Sequence, residues 1–225
     1  MSDPTITEID RDTFWALINQ AKEHRGGPNE WLMEQLMGMG PEQAKQFDDI
    51  ASAYIKLAHQ YGLWSAAAVM DRYGFTEYGF LDFRRWLVGQ GKEVYMAALR
   101  DPDTLADAAD YRKRLFEPLV YMGKPAYQEL TGRPIYKIFD LDEIQVLKTK
   151  LAQDIVYGTG VNYLYNNEEI PLYLPRLCAK YLTPEEIRTF TALPFCNWDL
   201  NDPDIQAARQ GPKSKKVKRK RDDAR

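Results

Sequence analysis

Apolar residues recur along most of this chain at intervals of three and four, the spacing that places them on one side of a helix. Phe14, Leu17, Ile18 and Ala21, with Trp15 beside them, follow Asp10, a residue type that caps helix starts, and stop before Gly26-Gly27-Pro28. Trp31, Leu32, Gln35 and Leu36 predict a short second helix. Pro41 suits a first helical position, and Ala44, Phe47, Ile50, Ala51, Tyr54, Ile55 and Ala58 extend a third stripe to about Tyr61-Gly62. Residues 63–71 are apolar on nearly every side, which for a segment too short to cross a bilayer predicts the middle of a bundle.

The next stretch, Tyr78 to Gly91, organises the rest. Phe80, Phe83, Trp86, Leu87 and Gln90 share one helical face, with Asp82 and Arg85 turned away. Arg84 sits at the edge of that face, its stem expected on apolar neighbours and its guanidinium expected to point outward or to a carboxylate on another helix. Gly89-Gln90-Gly91 should end the helix, and Lys92 to Arg100 should leave at a new angle. Asp101-Pro102-Asp103-Thr104 reads as a turn that starts a helical segment at Leu105. Tyr111 to Thr131 reads as helix kinked at Pro118 and disturbed at Gly123-Lys124-Pro125, closed by Gly132-Arg133-Pro134. Asp140 to Tyr157 reads as helix with Leu141, Ile144, Leu147, Leu151 and Ile155 on one side. Alternation over Val161 to Tyr165 and the pair Asn166-Asn167 permit a hairpin, in which Pro171 and Pro175 would confine the second strand to an edge. Thr183-Pro184-Glu185-Glu186 is a capping box, followed by Ile187, Phe190 and Leu193. From Pro194 apolar residues thin out, with Phe195 and Trp198 the last expected to dock on the folded body.

The fold class is therefore all-α or predominantly α: a multi-helix bundle with a helical C-terminal extension that leaves room for a small hairpin. The expected layout is a helical domain over 8–133, an extension over 134–193 packed on it, and a disordered tail over 194–225 with a basic run at 213–221.

Several pieces in order carry a resemblance: Phe14-Trp15 with Leu17-Ile18; Leu63-Trp64 with Ala66-Ala67; Gly79-Phe80, Asp82-Phe83-Arg84, Trp86-Leu87 and Gln90-Gly91; then Tyr95, Ala97-Ala98-Leu99, Asp101-Pro102-Asp103 and Leu105-Ala106. The chain resembles, over roughly residues 10–132, a bacterial domain-of-unknown-function family, number 4240 in that series. The resemblance implies a small helical domain with no assigned activity. Members of that family usually carry a short cysteine-containing turn before the central motif, where this chain has Arg72 to Thr76 and no cysteine.

Charge changes the picture at one end. Residues 1–212 carry a formal net charge of −9 and residues 213–225 one of +6, an acidic body with a basic tail. Lys213, Lys215, Lys216, Lys218, Arg219, Lys220 and Arg221 could attract nucleic acid weakly and without sequence preference; a solubilising tail or an arm folding back on the acidic body are equal alternatives. Cys178 and Cys196, with His24 and His59 far away in sequence, have no zinc-site spacing, so no metal and no cofactor is expected. A reducing cytoplasmic setting without membrane insertion is the expectation.

Asp82, Arg84, Arg85 and Gln90 form the candidate binding group, since a guanidinium recognises an anion or peptide carboxylate through paired donors; a structural Arg84 salt-bridged to a neighbouring helix is the plainer reading of the same residues. Trp15, Trp64 and Trp86 read as core anchors before pocket walls, and His24 and His59 as helix C-caps. Gly89 and Gly91 follow no strand and precede no GK[ST], so they are no phosphate loop. No GxSxG, HExxH or Walker sequence occurs, and no catalytic residue is assigned. The preferred reading is a non-enzymatic interaction or regulatory module that binds another macromolecule, with a protein as partner. The alternative is an enzyme of unknown class acting on a nucleotide or nucleic acid and tethered by the basic tail.

Overall fold

The structure is a computed structural model that describes residues 8–71, 76–113, 119–138, 140–158 and 170–189. These belong to one compact unit that ends at Pro194. Among the described residues every regular element is helical. The basic run, Phe195 and Trp198 lie outside them, as do residues 159–169.

Helix α1 (Arg11–Glu23) begins where Asp10 accepts a hydrogen bond from the Thr13 amide. α2 (Pro28–Met39) and α3 (Pro41–Leu57) each start on a proline after a glycine of positive φ. α3 is the hub, packing against α1, α2, α5 (Glu77–Gly89), α7 (Gly123–Thr131) and α8 (Leu141–Ala152). Two aromatic clusters fill the interior. In the first, the Trp15 indole donates to the Tyr54 hydroxyl at 3.0 Å, and the Tyr95 hydroxyl donates to the Tyr54 carbonyl at 2.8 Å. In the second, Phe80 stacks on Phe83, while Phe83, Trp86 and Tyr111 meet edge-on or tilted, and Trp64 stands edge-on to Phe80. The three tryptophans are therefore buried anchors. α4 (Tyr61–Asp71) is buried from Gly62 through Met70, as an all-round apolar helix must be.

α5 ends at Gly89 and α6 covers Lys92–Arg100, as the glycines predict. Gly91 has φ 91°, and a side chain there would also run into Asn19. Beyond α6 the expected long helix is absent. Residues Pro102–Asp107, Tyr111–Lys113 and Leu119–Tyr121 form 3-10 turns, and α7 begins only at Gly123. Pro118 has no amide to donate, and Pro125 stands in the first turn of α7, where a missing N–H costs nothing. α8 stops at Ala152, and its predicted face is narrower than its pattern: Ile144 and Leu151 are buried, whereas Leu141 is exposed.

The expected hairpin falls largely outside the described residues. Its second strand is overturned, because Ile170–Tyr173 is a helical turn, α9, leading through Leu174 into α10 (Pro175–Tyr181). α10 has no cap of its own. Its second and third amides, Arg176 and Leu177, donate instead to the carboxylate of Asp103, at 3.1 and 2.9 Å. The capping box of α11 (Pro184–Thr189) forms as read, Thr183 N to Glu186 Oε2 at 2.7 Å and Glu186 N to Thr183 Oγ1 at 3.2 Å. No helix among the described residues is long and apolar enough to cross a membrane.

Candidate functional site

Where α3, α5, the turn at Leu119–Tyr121 and the start of α7 meet, they leave a cleft of about 290 Å³. Ala51, Ile55, Leu81 and Val120 supply apolar wall; Lys56, Arg84, Arg85 and Lys124 supply positive charge; Asp48, Ser52 and Tyr121 complete the polar lining. Lys56 and Ile55 come from the last turn of α3, so the negative end of that helix dipole lies among the cations.

Arg84 is 8% exposed. The expectation that it pairs with a carboxylate on another helix does not hold: its Nη1 donates to the Ile55 carbonyl at 3.1 Å and its Nε to the Phe80 carbonyl at 3.4 Å. Its guanidinium also lies 4.8 Å from the Phe80 ring centre. The reason is local, since the last carbonyls of α3 have no helical partner and a guanidinium from α5 reaches one of them. Burial lowers the Arg84 pKa to about 10, against the pull of nearby Glu77, which leaves it charged at neutral pH.

Arg85 also lines the cleft and is held from two sides. Asp82 accepts from its Nη1 at 3.0 Å, and its guanidinium stacks 4.5 Å from the Tyr121 ring centre. Lys124 is exposed, lies 5.7 Å from the same ring, and has no ion-pair partner among the described residues. Of the predicted group, then, Arg84 and Arg85 line the cleft, and Asp82 orients Arg85 from outside it. Gln90 is elsewhere: its side chain donates to the Trp86 carbonyl at 3.3 Å, and its own carbonyl accepts from Lys22.

Asp48 is the residue that sequence reading passed over. It stands in α3 one position from the apolar stripe, and it is 2% exposed. Its Oδ2 is buried with no hydrogen-bond partner. Burial pushes its carboxyl up to about 6; Lys124 pulls it back, Asp49 adds to the rise, and Lys45 and Arg85 oppose it. Gly123 brings α7 onto this spot, since a Cβ there would lie 2.8 Å from the Ala44 carbonyl oxygen and 3.0 Å from the Asp48 Cβ. The only signal in the sequence was an acidic residue beside an apolar stripe, and most such residues are solvated.

The cleft can hold an anion and offer an acceptor beside it. Among the described residues no group of three or more His, Cys, Asp or Glu side chains could hold a metal ion. His24 ends α1, its Nδ1 accepting from the Gly26 amide at 3.3 Å while its ring stacks on Trp31. His59 follows the end of α3 with its ring against Phe80. Cys178 is buried and free.

Residues 9–129 match the family described as Protein of unknown function (DUF4240), a span that contains every residue of the cleft. No curated protein and no solved structure matches the chain. Because the match takes in more than half of the chain, from the start of α1 nearly to the end of α7, this protein belongs to the DUF4240 family.

Proposed function

We propose that this protein is a non-enzymatic recognition module that holds an acidic group of a partner protein in the cleft between α3, α5 and α7. One observation carries the reading: Lys56, Arg84, Arg85 and Lys124 gather in a single cleft of a body whose residues 1–212 carry −9. A concave site with apolar walls strengthens the field of such a group, and Arg85 is already oriented by Asp82 and Tyr121, so little ordering remains for binding to supply. The surrounding acidic charge opposes an extended polyanion and favours one compact anion. Titration calorimetry with acidic peptides at low salt tests this. Binding should weaken with added salt and be lost in Lys124→Glu and Arg85→Glu variants that still unfold cooperatively. Absence of any binding by acidic peptides at low salt would reject the reading.

Asp48 favours a second reading, an enzyme acting on an anionic substrate such as a nucleotide, because a buried carboxyl raised toward neutrality beside cations suits proton transfer. Turnover of such a substrate, abolished in Asp48→Asn with binding kept, would replace the first reading. For the basic run we hold to a weak, salt-sensitive attraction for nucleic acid in a cytoplasmic setting. Truncation after Gln210 should then abolish retention on heparin, and full-chain protein that never binds heparin would remove this role.

A further inference from the structure

We infer that the cleft captures the free C-terminus of its partner: the terminal carboxylate lies against Lys124, Arg84 and Arg85, and the last amide N–H donates to Asp48. This rests on the recognition reading above and specifies its partner. A ligand that brings only an anion answers the cations but leaves Asp48 Oδ2, a buried acceptor without a partner, unmatched. A buried acceptor left unmatched costs free energy, so the ligand that binds best brings a donor and an anion together.

At a peptide C-terminus the amide N–H and the carboxylate share one Cα, a fixed and short separation. An aspartate or glutamate side chain within a peptide carries its carboxylate one or two carbons further from its own amide, on a flexible stem. The cation side is already equipped for a carboxylate: Arg84 Nη2 makes no hydrogen bond to described residues, Lys124 is unpaired among them, and Arg85 is held in place by Asp82 and Tyr121. Ala51, Ile55 and Val120 then face the last side chain, which should be small or medium and apolar. At about 290 Å³ the cleft lies at the small end of ligand sites, suited to one chain end entering and unsuited to a helix or strand laid along it.

The test uses the full chain and pentapeptides ending in alanine, valine or leucine, titrated at low salt. Free-acid peptides should bind. C-terminal amides, and peptides N-methylated at the last residue, should each bind at least about tenfold more weakly, since one loses the anion and the other the donor. Lys124→Ala, at an exposed position, should weaken the free acids about fivefold or more in a protein that still unfolds cooperatively, with a lower melting temperature at pH 7.5 because Lys124 also steadies the ionised Asp48. Equal binding of amides or of N-methylated peptides overturns the inference, and so does equal binding of the free amino acids alanine, valine and leucine, which would make the cleft a small-molecule site. If capped peptides with an internal glutamate bind while free C-termini do not, the inference fails and the recognition reading stands. If neither class binds, both fail.

Discussion

At Asp48, burial and charge act against one another. A carboxyl whose folded pKa of about 6 exceeds its ordinary 3.8 holds its proton more tightly when folded. Stability from this group is therefore present in full below the unfolded pKa and is lost as pH rises through the folded one. Above that point the penalty stands at its full size, on the order of 3 kcal/mol at about 1.4 kcal/mol per pKa unit. Asp48→Asn should accordingly raise the melting temperature at pH 7.5, by about 1–3 kcal/mol in stability, and the gain should shrink between about pH 6 and pH 4. Thermal melts across that range decide it, and a variant no more stable than the parent at pH 7.5 would mean that Asp48 is well satisfied. A gain in stability joined to a loss of binding would mark a residue kept for function. Arg84 is the opposite kind of residue. Arg84→Met keeps the apolar stem but strips the Ile55 carbonyl of its donor, so a cost of about 1.5–3 kcal/mol in urea unfolding is expected. Unchanged unfolding would show that this contact is dispensable.

Among the elements, α5 and α7 build the cleft in different ways. α5 is anchored by Phe83, 0% exposed, and Trp86, 6% exposed, and alanine at either should cost about 3–5 kcal/mol through lost transfer free energy and a residual cavity. Melting within a degree of the parent would contradict that burial. α7 depends instead on the lack of a side chain. At Gly123 an alanine methyl would meet the backbone of α3, and the added helix propensity of alanine, about 1 kcal/mol, is outweighed by a clash of about 1–3 kcal/mol or by displacement of the helix. Gly123→Ala should therefore lower both stability and anion binding, because Lys124 moves with α7. Titration calorimetry beside a melt would show it, and unimpaired anion binding would separate Lys124 from the site.

Over the whole molecule, the segment beyond the family match is tied to it at particular atoms. Asp103 caps α10 from a distance, Arg176 pairs with Asp107, and Lys180 donates to the Ala106 and Ala108 carbonyls. Gly158 donates its amide to the Leu99 carbonyl so closely that a Cβ would lie 2.2 Å from the Arg100 carbonyl oxygen. Asp103→Ala should free two amides of α10 and cost about 1–3 kcal/mol, with proteolysis first at α10. Uniform resistance to proteolysis would place the attachment elsewhere. The cleft draws on none of these contacts, so truncation after Gln210 should leave both melting temperature and anion affinity as they are.

Helix periods, glycine stops and caps were legible from residues alone because they are decided within one or two turns. Asp10, Gly89 to Gly91, Gly132 and the Thr183 box all behave as their types predict. So did the burial of the three tryptophans, whose area leaves few alternatives. The site was half legible: Arg84 at the edge of the apolar face, with Arg85 next to it, pointed to an anion, but nothing within α5 could show that Arg84 would meet the end of α3 in place of a carboxylate. Asp48, Tyr121 and Lys124 lie far from α5 along the chain and become neighbours only when α7 settles on α3. An acidic residue acquires a raised pKa from the walls around it, and those walls come from other elements, so its chemistry is a property of packing that local pattern does not contain.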